Sequence, residues 1–152
     1  MLVHGGYVED SALAARSDVL TFTGEPLEHD LTVLGAPRVT LAHRSERPDA
    51  DLFVRISEVD AKGRSHNVTE GYARVPADRG DRPVTVDLLD TAHTFRGGTR
   101  IRLYVAGGSF PQYARNPGTG GNPLTATRLE ANQHSIELAA GASVLELPLA
   151  RA

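Results

Sequence analysis

Arg100-Ile101-Arg102-Leu103-Tyr104-Val105, followed closely by Ser109-Phe110-Pro111-Gln112-Tyr113-Ala114-Arg115-Asn116-Pro117-Gly118-Thr119-Gly120, holds two opposite kinds of pattern side by side. In the first segment Ile101, Leu103 and Val105 alternate with Arg100, Arg102 and Tyr104, the period of a strand with one face inward. Arginine beside the inward positions predicts an outer face that meets water or a polar partner. In the second segment the period is lost. From residue 109 to 133 there is almost no alternation, while Pro111, Pro117, Pro123, Gly118, Gly120 and Gly121 pin the backbone, which predicts one long ordered loop with a purpose.

Working outward, the same punctuation divides the whole chain. Fifteen glycines and nine prolines separate short alternations. Val39, Leu41 and His43 alternate with Thr40, Ala42 and Arg44; Leu52, Val54 and Ile56 with Phe53, Arg55 and Ser57; Val84, Val86 and Leu88 with Thr85 and Asp87. Ser135-Ile136-Glu137-Leu138 and Val144-Leu145-Glu146-Leu147-Pro148-Leu149 supply the last strands, and Asp60-Ala61-Lys62-Gly63 reads as a hairpin turn. Ala12-Leu13-Ala14-Ala15-Arg16 has helix propensity for one turn only. The expectation is an all-β fold, a jelly-roll β-sandwich of about eight antiparallel strands with two long connections.

A chain of 152 residues fits one domain. We read residues 1–17 as a lead-in segment and 18–152 as the sandwich. The absence of cysteine excludes disulfides, thiolate nucleophiles and zinc ribbons. A net charge of −3, from 16 basic and 19 acidic residues interspersed, leaves no basic stripe for phosphates, so no nucleic-acid partner is expected. No apolar run approaches the roughly 18 residues of a membrane span, and no basic segment with an apolar core follows Met1. No membrane association is expected, and a cytoplasmic location is favoured. Asn67-Val68-Thr69 matches a glycosylation sequon but reads as part of a strand.

The chain offers poor material for catalysis. A nucleophile elbow needs G-x-S-x-G, and in Gly107-Gly108-Ser109-Phe110-Pro111 a proline replaces the last glycine with no helical pattern after it. Ser109 is therefore read as closing a strand end by bonding backbone. His4, His29, His43, His66, His93 and His134 are scattered singly, without the paired spacing that points two imidazoles into a barrel. His43 and His93 are read as structural. Asp49 and Asp51 share a face, and turn formation with an ion pair to arginine, Arg47 and Arg55 being near in sequence, fits them better than a calcium site. No catalytic residue, metal or cofactor is expected. A carbohydrate- or protein-binding module is the alternative function. With no tryptophan and 5% aromatics, its sugar platforms are limited to Tyr7, Tyr72, Tyr104 and Tyr113.

Segments along most of the chain resemble, in order, the C-terminal non-catalytic domain of the X-Pro dipeptidyl-peptidase and cocaine-esterase-like (CocE/NonD) serine hydrolases. They are residues 16–27, Leu31-Thr32-Val33-Leu34-Gly35, residues 49–56 with the Asp60-Ala61-Lys62-Gly63-Arg64-Ser65 hairpin, Asn67-Val68-Thr69-Glu70-Gly71, Val84-Thr85-Val86-Asp87-Leu88, residues 91–102 and the loop from Ser109 to Gly120. The connection over residues 75–83 is shorter than is usual in that family, and Gly107-Gly108 stands where polar residues are common. The resemblance implies a galactose-binding-like jelly roll that does no chemistry itself. It implies a partner, an α/β-hydrolase catalytic domain acting on acyl esters or X-Pro amides, supplied in cis or in trans, whose substrate cleft this domain helps to shape. Apolar surface left at the docking site would also favour a homodimer.

The expected interface residues lie in the loop. Phe110 and Tyr113 are the candidate apolar anchors, Arg115 the planar donor for a carboxylate or carbonyls, and Asn116, held extended by Pro117, the residue that fixes the arginine. The competing expectation is internal: Phe110 plugs the end of the sandwich and Arg115 pairs with Asp49 or Asp51.

Overall fold

The computed structural model describes residues 6–47, 49–75 and 77–150. Residues 1–5, with His4 and the start of the lead-in segment, lie outside the described residues, as does Pro76 of the connection 75–83.

Two strands organise the rest, β5 (Ala50–Val59) and β6 (Ser65–Val75). Their turn is closed by Asp60, whose carboxylate accepts from the backbone N–H groups of Lys62 and Arg64 and from the Arg64 guanidinium. Gly63 sits at φ +82°, a conformation that favours glycine. The register then places Asp51 opposite Arg74, Phe53 opposite Tyr72 and Arg55 opposite Glu70, before slipping by one residue between Ile56 and Ser57.

β5 also pairs antiparallel with β9 (Arg100–Ala106), and β9 with β1 (Val19–Thr23), giving a four-stranded sheet in the order β1-β9-β5-β6. The opposite layer consists of three smaller sheets: β2 (Leu31–Gly35) with β8 (Thr91–Phe95), β3 (Arg38–Leu41) between β7 (Val84–Asp87) and β11 (Val144–Glu146), and β4 (His43–Ser45) with β10 (His134–Ile136). Among the described residues the strands number eleven, more than the eight or so that the turn spacing predicts; the expected run from Val39 to Arg44 divides into β3 and β4, and β10 and β11 fall where the last two strands are read. The fold is all-β, an antiparallel sandwich, and of the two short helical turns in these residues, Ser11–Ala15 and Ala77–Arg79, the first falls where propensity suggested.

The break between β3 and β4 has a local cause. Ala42 donates its N–H to Ser143 Oγ and accepts at its carbonyl from Glu137 N–H, so the strand changes partners at that residue. The C-terminal run continues past β11 and lies along β2, with Ala150 N–H on Thr32 O and Leu34 N–H on Pro148 O.

Between the layers lies one contiguous core of Val33, Val39, Leu41, Leu52, Val54, Ile56, Val84, Val86, Phe95 and Val105 among others. Burying each such side chain stabilises the fold by about 1.5–3 kcal/mol relative to exposure. The expected inward rows, Leu52-Val54-Ile56 and Val39-Leu41-His43, are buried as read.

The outer face of β9, expected to meet water or a polar partner, meets polar partners, Thr23 at Arg102 and Ser65 at Tyr104, and much of the sheet's outer face around it is closed to water. Phe53, Ser57 and Tyr104 are 4%, 0% and 1% exposed. The cause is a cover that strand periodicity does not register: the lead-in segment lies over one end of the face and the long loop over the other. No helix among the described residues is long and apolar enough to cross a membrane.

Candidate docking face

The lead-in segment is sewn to the edge of β6. Val8 N–H and Gly6 O bond the two ends of the Asn67 amide, Val8 O accepts from Asn67 N–H, and Asp10 N–H bonds Ser65 O. The sequon asparagine thus has its side chain fully engaged as a strand residue. Asp10 then turns in. Its carboxylate accepts from Ser57 Oγ at 2.7 Å and Ser65 Oγ at 2.5 Å, and lies 3.6 Å from the Arg55 guanidinium. Tyr104 Oη completes the cluster at 2.9 Å from Ser65 Oγ.

Arg55 carries this network across the sheet. Its Nε and Nη2 both donate to Glu70 Oε2, and Gln112 of the long loop donates to Glu70 Oε1. From there the loop lies down on the sheet. The Tyr113 ring stacks on Tyr72 with centroids 4.1 Å apart and planes 6° from parallel, and tilts against Phe53. Asn116 Nδ2 donates to Asp51 Oδ1 at 3.0 Å, beside the Arg74 guanidinium on the same carboxylate.

Burial alone would push Asp51 up, but hydrogen bonds from Arg74 and Asn116 outweigh it and hold the carboxyl below its ordinary range. The Tyr72 phenol is pushed up to about 12 by burial and by the neighbouring Asp51 charge. Asp51 is therefore a buried anion with a full set of donors, a structural role rather than an acid–base one.

The loop's return is as firmly tied. Pro117 and Gly118 are buried, and Pro117 O accepts from Glu130 N–H. A Cβ on Gly118 would run into Glu130 O, and φ there is +70°, so this corner requires glycine. Arg47 pairs with Glu130 and donates from Nε to Ala131 O and from its backbone N–H to Asn132 Oδ1. The loop is ordered by specific bonds along its length.

The ordered loop shows Phe110 and Arg115 to solvent, with Leu124 and Leu129 exposed farther along it. Phe110 is 63% exposed, and the Arg115 guanidinium lies over its ring, 4.6 Å from the centroid. The internal expectations for both are corrected by this geometry. Phe110 does not plug the sandwich, and Arg115 does not pair with Asp49 or Asp51, because Arg74 and Asn116 already occupy Asp51. Nor does Asp51 take Arg47 or Arg55, which are engaged by Glu130 and by Glu70 with Asp10. Tyr113 and Asn116 face inward and fix the loop's seat. Between the loop and the start of β1 opens a cleft of about 870 Å³, lined by Leu20, Phe53, Phe110, Arg115, Asn132 and His134 among others.

Ser109 bonds the Gln112 side chain rather than backbone, at 3.2 Å. His93 is paired with Glu58 at 2.9 Å, as a satisfied structural histidine. Among the described residues no cluster of three or more His, Asp or Glu side chains could hold a metal ion. Of the four tyrosines offered as sugar platforms, Tyr104 is buried, Tyr72 is covered by Tyr113, and Tyr7 stacks on His66 with planes 2° apart.

Sequence reasoning missed Asp10, Ser65, Glu70 and Gln112. Even Arg55–Glu70 left no local signal, since counting register back from the Asp60–Gly63 turn sets Arg55 opposite Thr69, and only the slip between Ile56 and Ser57 brings it to Glu70.

Comparison with known proteins agrees with this architecture. A serine-esterase-described protein of Mycobacterium bovis is 32% identical over 133 residues, covering 69% of this chain and 21% of that protein. Cocaine esterase of Rhodococcus is 28% identical over 127 residues, covering 76% and 22%. The chain thus spans about a fifth of the length of these relatives. Among solved structures, an α-amino acid ester hydrolase superposes with a TM-score of 0.82 at 26% identity over 93% of this chain and 27% of its own. An aminopeptidase from a marine sediment Thaumarchaeota archaeon gives 0.81 at 25% identity, over 92% and 27%. The description of the family whose profile matches residues 4–146 is that of the X-Pro dipeptidyl-peptidase C-terminal non-catalytic domain, and the chain belongs to that family.

Proposed function

We propose that this domain packs against an α/β-hydrolase catalytic unit through the face built by the long loop, and that in doing so it steadies that unit and walls part of its substrate cleft. The observation that carries the reading is the division of labour in the loop. Tyr113, Asn116 and Gln112 are spent inside the domain to fix its shape, while Phe110 and Arg115 are left stacked on each other in solvent.

A loop ordered before contact loses little conformational entropy when a partner arrives. An exposed aromatic capped by a guanidinium offers a partner both apolar area and a bidentate donor. Contacts between domains of this type bury about 600–1,500 Å². The catalytic serine is supplied by the partner unit, and the substrates of the assembly are acyl esters or X-Pro amides.

The test is to incubate the purified chain with a fluorophosphonate serine probe and measure intact mass. An unmodified mass is expected. A stoichiometric adduct would overturn the reading and make Ser109 the first residue to replace.

A further inference from the structure

The long loop has a neck, and two histidines close it. The chain leaves β9 through Gly107 and returns at His134, and a Cβ on Gly107 would touch His134 Nε2 at 3.4 Å, so the outgoing and returning segments meet at that ring. On its other side His134 Nδ1 lies 3.0 Å from His43 Nε2 in β4, where His43 is 2% exposed. His43 Nδ1 is buried and has no partner among the described residues. Backbone bonds flank the pair, Glu46 N–H to Gln133 O on one side and Glu137 N–H to Ala42 O on the other.

This geometry has one good protonation state. With both rings neutral, His43 Nε2–H donates to His134 Nδ1, and His43 Nδ1 is left as a bare acceptor. Suppose one proton is added and the bond is kept. Whether the charge sits on His43 or on His134, a hydrogen must then stand on His43 Nδ1, a buried N–H with nothing to receive it. If instead that nitrogen stays bare, two N–H groups face each other and the bond is lost. We propose that the His43–His134 hydrogen bond is a pH-sensitive latch on the 107–133 loop, closed while both rings are neutral and released as the pair takes up protons.

The surroundings favour the neutral pair. Arg79 donates to His43 O at 2.7 Å and sets a positive charge beside the ring. Arg44, next along β4, is exposed and turned to Asp81, while Glu130 of the returning loop is occupied by Arg47 and Arg128. Asp51 is the acidic group facing His134, and Arg74 and Asn116 already bond it. Burial, then the His134 and Arg79 charges, push His43 down to about 4. Burial also lowers His134, with Asp51 opposing. Both values lie below the unfolded one, so the unfolded or released state takes up protons first. The latch's contribution is complete above the ordinary histidine value of about 6.5 and is lost as pH falls towards 4.

Loop release is a property of this chain alone. Its consequence, weaker docking in acid, rests on the proposed function. The experiment therefore uses the full chain without a partner: ring titrations of His43 and His134 by NMR, with backbone amide protection factors measured from pH 7 to 4.5. In the wild type the two rings titrate together below 6.5, and protection at Tyr113, Glu130 and Glu137 falls about tenfold more than in β5 and β9. The double variant His43→Gln with His134→Asn keeps a donor and an acceptor in place but takes up no proton, and it retains its loop protection to pH 4.5. Independent titration of both rings near 6.5, unchanged loop protection, or the same loss in the amide pair would each overturn the latch. Should the double variant fail to fold, the wild-type ring titrations decide alone. Failure of the docking reading would leave all of these results as they are.

Discussion

The inner face of β5 is fully buried and the outer face nearly so, by different means. Inward, Leu52, Val54 and Ile56 are closed off by the opposite layer, through contacts that have no direction and tolerate any apolar shape of the right volume. Outward, Phe53, Arg55 and Ser57 are closed off by two segments far apart in sequence, through bonds that each need one partner in one place: Asp10 for Ser57 and Arg55, Glu70 for Arg55, Tyr113 against Phe53. The inner face holds the fold together, whereas the outer face fixes where the lead-in segment and the loop lie relative to each other. A domain that has to present a loop in a set direction needs the second kind of burial as much as the first.

The largest loss of stability is expected from the inner face. Leu52→Ala should cost about 2–5 kcal/mol, read as a shift of the urea midpoint with an unchanged slope, because the site lies in the centre of the core and cannot collapse. Asp10→Ala comes next, at about 2–3 kcal/mol, since it strips partners from Ser57, Ser65 and one side of Arg55 at once. The smaller Asp10→Asn loss would separate the charge from the hydrogen bonds. If Asp10→Ala melts like the wild type, the outer cluster is decoration and the contrast between the faces fails.

The inner face could be read from the sequence because alternation is a local signal: Leu52, Val54 and Ile56 announce their direction within five residues. The same holds for the hairpin at Asp60 and for the loop, where prolines and glycines displace the strand period. The outer cover was not legible, because nothing near Ser57 or Phe53 says that Asp10 or Tyr113 will arrive. Tyr104 is the clearest case. On the face of β9 that carries Arg100 and Arg102 it reads as a position open to water or a polar partner, yet it is buried, with its hydroxyl on Ser65 under the lead-in segment. The family resemblance carried the fold, and of the loop's four candidates the structure turned Tyr113 and Asn116 inward for reasons that only the tertiary partners, Tyr72 and Asp51, supply.

Tyr113→Ala loosens the outer cover at lower energy. Losing the stack on Tyr72 and the contact with Phe53 should cost about 1 kcal/mol and raise amide exchange at residues 109–116 before any change appears in β5. Tyr113→Phe keeps both rings in place and should restore protection. A uniform rise in exchange across the sheet would mean that the loop is part of the core rather than a separate layer upon it.

Phe110→Ala should have the smallest effect on the isolated chain, within about 0.5 kcal/mol of the wild type, because a ring 63% exposed contacts little beyond the Arg115 guanidinium. Its effect should appear only in an assembly. Grafted in place of the matching region of the Rhodococcus cocaine esterase, the wild-type domain should melt with its neighbour in one transition, and Phe110→Ala combined with Arg115→Ala should split that transition in two. A loss of more than about 1 kcal/mol in the isolated chain would place Phe110 among the packing residues. The first turn of the loop would then be another piece of the outer cover, because Gln112, Tyr113 and Asn116 are already committed inside the domain and Arg115 rests on Phe110.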